Sequence, residues 1–424
     1  MNIELNLYFI IILVALSANY LLNLISDCLN LRSLKKELPP EFKDQYDAEK
    51  YRKSQDYEQT NTRFSLIVST FNLAVLLAFW LAGGFVYLDK LVSGWLPENW
   101  SNAIVMGLGY TGLLVVGKFL LGLPFRIYET FVIEARFGFN RTTPWVFSAD
   151  ILKIALLALV LGAPLMAAVI AFFQYAGDLA WLYCWAFTTA FTLLIQFAAP
   201  RWIMPLFNKF TPLEEGDLKA AITEYAQNIN FPLKGLYVID GSRRSSKSNA
   251  FFTGFGKNKR IALFDTLIKS HTIDELLTIL AHEIGHYKKK HILKGMLLNI
   301  LHTGVLFFLL SIFLNSNGLF AAFGFEPPHT PVYAGLIFFS LLYSPIEMIL
   351  AVLLNVFSRK NEREADVFAV QTTAKPGAFI HALKKLSSDN LSNLTPHPMS
   401  VFLHYSHPPV IERIRNISQT NSGD

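Results

Sequence analysis

The chain has 424 residues, of which 52% are hydrophobic and only 16% are charged, and its mean hydropathy is +0.36. Soluble domains usually carry roughly a quarter charged residues, so this composition excludes an ordinary soluble protein and indicates a polytopic membrane protein. The formal net charge of +5 gives no reason to expect a nucleic-acid partner, and the two cysteines, Cys28 and Cys184, do not suggest a disulfide framework.

Seven apolar segments are long enough to cross a bilayer, which takes about 20 residues per helix. The first begins almost at the first residue and has no basic leader or small-residue cleavage site, so we interpret it as a retained span and not as a signal peptide. The predicted spans are Leu5–Ile25, Phe64–Leu88, Ala103–Leu123, Ile151–Phe173, Ala180–Ala199, Gly295–Leu314 and Val332–Phe357.

Basic residues alternate between the loops that join these spans. Because basic loops stay in the cytosol, the alternation predicts that the N-terminus faces outward and that the four basic segments face the cytosol. Segment 26–63 contains eight Lys and Arg residues, 124–150 contains three, 207–294 contains fourteen and 358–424 contains eight. The intervening segment 89–102 contains one, and 174–179 and 315–330 contain none.

Two of the cytosolic segments are long and polar enough to fold into one domain. We therefore divide the chain into spans one to five with their loops (1–206), a cytosolic segment (207–294), spans six and seven (295–357) and a cytosolic tail (358–424).

Segment 207–294 alternates between helical and strand patterns. A turn is predicted at Gly256-Lys257-Asn258, and a capping box formed by Thr272 and Glu275 begins a second helix. The other predicted elements are a helix over Leu218–Asn228 and strands over Leu236–Ile239, Ala250–Phe255 and Arg260–Phe264.

The second helix carries the sequence Ala281-His282-Glu283-Ile284-Gly285-His286. Two histidines four residues apart lie on one helical face, where both imidazoles can reach a single Zn²⁺. Glu283 then stands beside the open position of the metal and can take a proton from a bound water. The motif predicts a zinc peptidase with one Zn²⁺ per chain, and incidental histidines on a solvated helix are the alternative.

A catalytic zinc site usually has a third protein ligand, and the downstream histidine of the extended motif is missing here. Ile292 occupies its position, and His291 follows three lysines, so we expect His291 to lie on the surface. Glu362, directly after the last span, is the best candidate, with Glu364 as the weaker alternative. Asp366 lies four residues after Glu362 on the same helical face, where it can accept a hydrogen bond from a ligand histidine.

Two further segments suit peptide cleavage. The hairpin around Ser248–Phe252 could present an edge strand to an extended substrate, although an ordinary hairpin has the same pattern. His407 belongs to a His-Pro-Pro turn and His404 precedes it. Both are candidates to stabilise an oxyanion, although such turns are more often structural.

Together these residues resemble the type I CAAX prenyl proteases, which are integral membrane zinc endopeptidases related to the HtpX heat-shock proteases. The resemblance covers nearly the whole chain. One departure is Phe137, which stands where histidine is common in the family's HGFNKTT segment. The matching segments are Leu38-Pro39-Pro40 with Tyr51–Tyr57, Phe137–Thr143, Pro205–Leu213, Ser248–Leu267, Glu362–Asp366 and His404–Arg413.

The resemblance implies a polytopic α-helical membrane protein with seven transmembrane helices around a chamber and a gluzincin-like α+β zinc protease domain on the cytosolic side. It implies that Glu362 is the third ligand, that Asn249 and His407 lie near the scissile carbonyl, and that Asp366 and Arg413 support the site. The expected partners are the lipid bilayer and a peptide or protein substrate, cut near the C-terminus of a prenylated CAAX sequence.

Polar residues inside the predicted spans suit either a hydrated chamber or hydrogen bonds between helices. These residues are Asn72, Lys118, His302 and Glu347. For the membrane itself, the length, the short outer loop at 315–330 and a tail without a basic retrieval signal favour a bacterial inner membrane over an endoplasmic reticulum.

Three other functions are compatible with parts of the pattern. An HtpX-like quality-control protease would cut unlipidated substrates, but such proteins usually have fewer spans. A site-2-type protease would carry the zinc motif inside an apolar span, whereas this motif precedes Lys288–Lys290. A non-enzymatic scaffold or translocon-clearing protein could lose Glu283, Asn249 or a ligand, and none of them is lost.

Overall fold

The computed structural model describes residues 3–35, 37–97, 102–253 and 259–422, so the predicted turn at Gly256-Lys257-Asn258 lies outside the described residues. The strands are β1 (Phe210–Pro212), β2 (Leu233–Ile239), β3 (Ala250–Thr253) and β4 (Lys259–Phe264). The α-helices are α1 (Leu7–Ser33), α2 (Ala48–Leu81), α3 (Gly84–Trp95), α4 (Ala103–Tyr128), α5 (Pro144–Leu157), α6 (Ala163–Tyr175), α7 (Ala180–Ala198), α8 (Met204–Phe207), α9 (Asp217–Asn228), α10 (Asp265–Ser270), α11 (Ile273–Lys288), α12 (His291–Phe313), α13 (Asn317–Ala321), α14 (Val332–Thr373), α15 (Pro376–Asp389), α16 (Pro398–His404) and α17 (Val410–Ser422).

Seven helical stretches of the described chain are long and apolar enough to cross a membrane, which confirms the predicted number of spans. The second span departs from its predicted bounds, because α2 ends at Leu81 and not at Leu88. Gly83 has a φ of 73°, a left-handed conformation that favours glycine, so the chain turns there and α3 begins as a separate helix. The seven stretches are Leu7–Ser33, Ala48–Leu81, Ala103–Glu134, Pro144–Tyr175, Gly177–Phe207, His291–Phe313 and Val332–Thr373.

The four strands form one sheet in the order β1-β2-β4-β3. β2 and β4 are parallel, and β1 and β3 pair antiparallel with them at the two edges. The sequence did not predict β1, because three residues that end in proline show no alternation. The sheet shares one core with α9, α11, the C-terminal part of α14 and the helices that follow it. This core contains Ile222, Ile261, Leu280, Val370, Phe379 and Ile417.

The spans meet at the end of the molecule away from this sheet. All seven contribute to one core there, which α3 and α13 complete. Trp80 of α2 stacks on Phe323, which stacks on Phe338 of α14, with ring centroids 4.8 and 3.9 Å apart. Only 6–22% of each apolar window is buried, so most side chains of the spans lie outside this core. The helices therefore converge at the end of the molecule away from the sheet.

Candidate metal centre and active site

The helix that carries the two motif histidines begins with the predicted capping box. Thr272 Oγ1 accepts a hydrogen bond from the Glu275 amide at 3.3 Å, and Glu275 Oε2 accepts one from the Thr272 amide at 2.9 Å. These reciprocal bonds satisfy two backbone donors at the start of α11. They fix where the helix begins and thereby which face carries His282 and His286.

α11 and α14 approach each other closely at Gly285. A Cβ atom at this position would lie 3.2 Å from Ala365 Cα and 3.3 Å from the Ala365 carbonyl oxygen, so glycine permits the approach. Glu362 lies one turn before Ala365 on α14. The crossing therefore brings Glu362 opposite the two histidines of α11.

The ligand atoms of His282, His286 and Glu362 face one another in a compact cluster. His282 Nε2 lies 3.2 Å from His286 Nε2 and 3.3 Å from Glu362 Oε2, and His286 Nε2 lies 3.2 Å from Glu362 Oε1. All three side chains are largely buried. Among the described residues, these three form the group whose ligand atoms all lie within 4.8 Å of one another and could hold a metal ion.

The cluster fits a zinc ion. In a tetrahedral site with zinc–ligand bonds of 2.0–2.1 Å, neighbouring ligand atoms are about 3.3 Å apart, which matches the observed spacing. Glu362 Oε2 is buried and makes no hydrogen bond to a described residue, and such an oxygen is costly unless a cation binds it. Two imidazoles and one carboxylate are also a common donor set for catalytic zinc, with one coordination position left open.

The Nδ1 atom of His282, which faces away from the cluster, contacts Asp366, and Arg413 binds Asp366 in turn. Asp366 Oδ1 lies 2.8 Å from His282 Nδ1, and Arg413 donates to both carboxylate oxygens of Asp366 at 2.6 and 2.9 Å. Burial opposes a charge on the imidazole, but the carboxylates of Asp366 and Glu362 outweigh burial and raise the pKa of His282 to about 9. These surroundings favour a positive charge at the cluster, from a proton or from a metal ion.

Glu283 lies beside the cluster on the same helix. Burial raises the pKa of its carboxyl group, and the nearby His282 and His286 offset part of that rise. Among the described residues, none forms a hydrogen bond or an ion pair with this carboxylate. A carboxylate with a raised pKa and unengaged oxygens is suited to general base catalysis.

The structure brings His407 to the cluster and Asn249 to the sheet edge. His407 Nε2 lies 3.2 Å from Glu362 Oε1, and its side chain is 62% exposed, with Ser406 Oγ 2.9 Å from its Nδ1. Asn249 is exposed directly before edge strand β3, and its Oδ1 accepts a hydrogen bond from the Ala250 amide at 2.8 Å. Asn249 makes no hydrogen bond to the three cluster residues.

His291 is buried, so the expectation that it lies on the surface is wrong. Lys290 has a φ of 59°, a left-handed conformation that separates α11 from α12 and turns His291 back toward the cluster. His291 Nδ1 lies 3.2 Å from His286 Nδ1, and His291 Nε2 lies 3.1 Å from Glu364 Oε2. Glu364 therefore contacts His291 and does not join the three-residue cluster.

Comparisons with known proteins match nearly the whole chain. The sequence-family model of the CAAX prenyl protease N-terminal region, with five membrane helices, matches residues 28–209. The family model of peptidase family M48 matches residues 212–421. The chain is 41% identical over 325 residues to the CAAX prenyl protease 1 homolog of Oryza sativa subsp. japonica, which covers 76% of each chain. It is 39% identical to the probable CAAX prenyl protease 1 of Schizosaccharomyces pombe, over 91% of this chain and 83% of that protein.

The crystal structure of S. mikatae Ste24p superposes with a TM-score of 0.92 at 32% identity, over 98% of this chain and 100% of that chain. The fold and the matches together define an integral membrane metallopeptidase. The chain belongs to the type I CAAX prenyl protease family, within peptidase family M48. The predicted fold class, seven membrane helices enclosing a chamber beside a peptidase domain, is confirmed.

Proposed function

We propose that the chain is a zinc-dependent endopeptidase that cleaves near the C-terminus of CAAX-type prenylated proteins. The observation that carries the proposal is the spacing of His282, His286 and Glu362, which suits one Zn²⁺ per chain. Zn²⁺ bound there would acidify a coordinated water and polarise the scissile carbonyl. The other steps belong to the side chains around the cluster.

Glu283 acts as the general base: it takes a proton from the attacking water and passes it to the leaving amine. His407, at the exposed edge of the cluster, donates a hydrogen bond to the negative charge that develops on the carbonyl oxygen. The side-chain amide of Asn249, at the sheet edge, donates a second hydrogen bond to the same carbonyl oxygen. Strand β3 at that edge can pair with an extended substrate. Asp366 and Arg413 keep the proton of His282 on Nδ1, so that Nε2 can ligate.

The membrane part supports a substrate with a lipid attached. The relatives that match carry the name CAAX prenyl protease 1, and a chamber enclosed by the seven spans would give room for an isoprenoid chain. Three of the four polar residues in the spans, Asn72, Lys118 and Glu347, are exposed and make no hydrogen bond to a described residue. The fourth, His302, forms a hydrogen bond with Tyr343 at 3.1 Å. Three polar residues without a helix partner favour a hydrated chamber over hydrogen bonding between helices.

The proposed site faces the cytosol, in a bacterial inner membrane or an endoplasmic reticulum. The alternation of basic loops supports this orientation, because the segments that form the cluster and the sheet belong to the basic set. A reporter fused after residue 424 would then behave as cytosolic.

The test is cleavage by the purified full chain, in detergent, of one CAAX peptide with and without a farnesyl group. We expect the wild type to cleave the farnesylated peptide preferentially. Glu283→Gln should retain zinc and lower the cleavage rate by about 100- to 10,000-fold, the usual contribution of a general base. Glu362→Gln should instead lower the zinc content, which separates loss of the base from loss of the metal.

Each remaining outcome points to another function. Equal cleavage of the two peptides would reject recognition of the isoprenoid and favour an HtpX-like quality-control protease. A wild type no more active than Glu283→Gln on either peptide would contradict the endopeptidase proposal and favour a scaffold or translocon-clearing role.

A further inference from the structure

His286 contacts His291 on the side of its ring that faces away from the cluster, and His291 in turn contacts Glu364. The proposed reaction gives no role to His291 or Glu364. The side chain of His291 is 3% exposed, and both its ring nitrogens are engaged. Its Nδ1 lies 3.2 Å from His286 Nδ1, and its Nε2 lies 3.1 Å from Glu364 Oε2. The arrangement parallels the contact between Asp366 and His282, but an imidazole takes the place of the carboxylate.

The acceptor-only carboxylate of Glu364 fixes the protons along this chain of contacts. It has no proton to donate, so its contact requires a proton on His291 Nε2. The Nδ1 of a neutral His291 then carries a lone pair and can only accept. The contact with His286 therefore requires the proton of His286 on Nδ1, which leaves a lone pair on His286 Nε2. His286 Nε2 is the atom that faces His282 and Glu362.

We propose that His291 is a positioning residue of the metal centre, which together with Glu364 holds His286 in the tautomer that ligates the metal. This inference rests on the proposed zinc function and adds residues that the zinc motif does not contain. The left-handed turn at Lys290 makes it possible, because it starts membrane helix α12 with His291 directed at His286. Each ligand histidine then has its own support, with His282 held from α14 and α17 and His286 from α12 and α14.

The test compares His291→Leu with His291→Asn in the full chain. After removal of metal with a chelator, Zn²⁺ is titrated in competition with a chelating dye, and Co²⁺ uptake is followed by its visible absorption spectrum. Leucine leaves the His286 Nδ1–H without an acceptor, so we expect zinc affinity to fall by about 10- to 100-fold and the cobalt spectrum to change. Asparagine keeps an oxygen near the position of Nδ1, so it should restore most of the affinity.

Glu364→Gln tests the second link against a matched control, Glu412→Gln. Glu412 is a half-buried carboxylate that pairs with Arg363, and its substitution removes the same charge without a contact to a histidine. We expect Glu364→Gln to weaken zinc binding and Glu412→Gln to leave it unchanged.

Three outcomes would overturn the inference. His291→Leu could bind zinc as tightly as the wild type, which would show that His286 needs no acceptor. Equal losses in His291→Leu and His291→Asn would reduce His291 to a packing residue. A wild type that takes up no zinc would overturn this inference together with the proposed function, whereas the first two outcomes leave the proposed function intact.

Discussion

The two histidines of the cluster are oriented by different chemical groups. His282 faces a carboxylate that Arg413 holds with two charge-assisted hydrogen bonds, whereas His286 faces a second imidazole. A carboxylate behind a ligand histidine both fixes the tautomer and increases the basicity of the ligating nitrogen. The charge on Asp366 should therefore contribute to metal affinity beyond the shape of its side chain.

Asp366→Asn keeps that shape and removes the charge. We expect this variant to bind zinc about 10- to 100-fold more weakly than the wild type, because the amide supports His282 less well than a carboxylate does. Competition with a chelating dye measures the change. Asp274→Asn is the matched control, since Asp274 is an exposed carboxylate at the start of α11 that pairs only with Lys375 among the described residues. Equal affinity in the two variants would contradict the prediction.

The sequence predicts which residues are neighbours when both lie on one regular helix. It does not predict a neighbour that results from a break between two helices. Glu362 and Asp366 are four residues apart, so a regular helix puts both on one face, as the structure has them. His291 follows three lysines, and its burial depends on the left-handed conformation of Lys290. Lysine rarely adopts a left-handed conformation, so the sequence contains no signal for a turn at Lys290.

At the scale of helices, the proposed metal centre depends on how closely α11 and α14 approach each other. The contact at Gly285 is with the backbone of Ala365, which cannot move aside as a side chain can. A Cβ atom at Gly285 therefore requires α14 to move by a few tenths of an ångström, and such a shift would carry Glu362 away from the histidines. The close approach, and not the helix propensity of glycine, explains this residue.

Gly285→Ala separates these two effects. In an ordinary helix the change would stabilise by about 0.5–1 kcal/mol, but here we expect weaker zinc binding and a lower melting temperature because α14 must shift. Gly377→Ala is the matched control, since a Cβ atom at Gly377 in α15 would meet no atom within 4 Å. A Gly285→Ala variant that is more stable than the wild type, with unchanged zinc affinity, would show that the helices adjust freely.

Secondary structure was predictable where local signals and packing agree. The capping box of Thr272 and Glu275 identified the start of α11, and alternation identified β2, β3 and β4. The break at Gly83 was missed because the apolar segment continues through it, although the pair Gly83-Gly84 is a turn signal that hydropathy does not register. Hydropathy reports the solvent that surrounds a segment and not the local turn.

At the scale of the whole molecule, α14 joins the membrane part to the proposed metal centre. One continuous helix of 42 residues carries Glu347 within its apolar stretch and Glu362 in the cluster. At 1.5 Å per residue, these two side chains lie about 22 Å apart along the helix, so Glu347 is deep among the spans. A substrate lipid held near Glu347 would therefore be linked to the cleavage site through a single rigid element.

Glu347 and Ile349 lie on different faces of α14 and test whether a hydrated chamber exists. Glu347 is one turn from Tyr343, which bonds His302 of α12, so its face points between the spans, whereas Ile349 and Leu353 form an exposed apolar face. In a chain with Cys28 and Cys184 replaced by alanine, we expect Glu347→Cys to react with a charged maleimide and Ile349→Cys to stay unmodified in the bilayer. Equal protection of both cysteines would mean that the spans close around Glu347, because a water-soluble reagent reaches only hydrated positions.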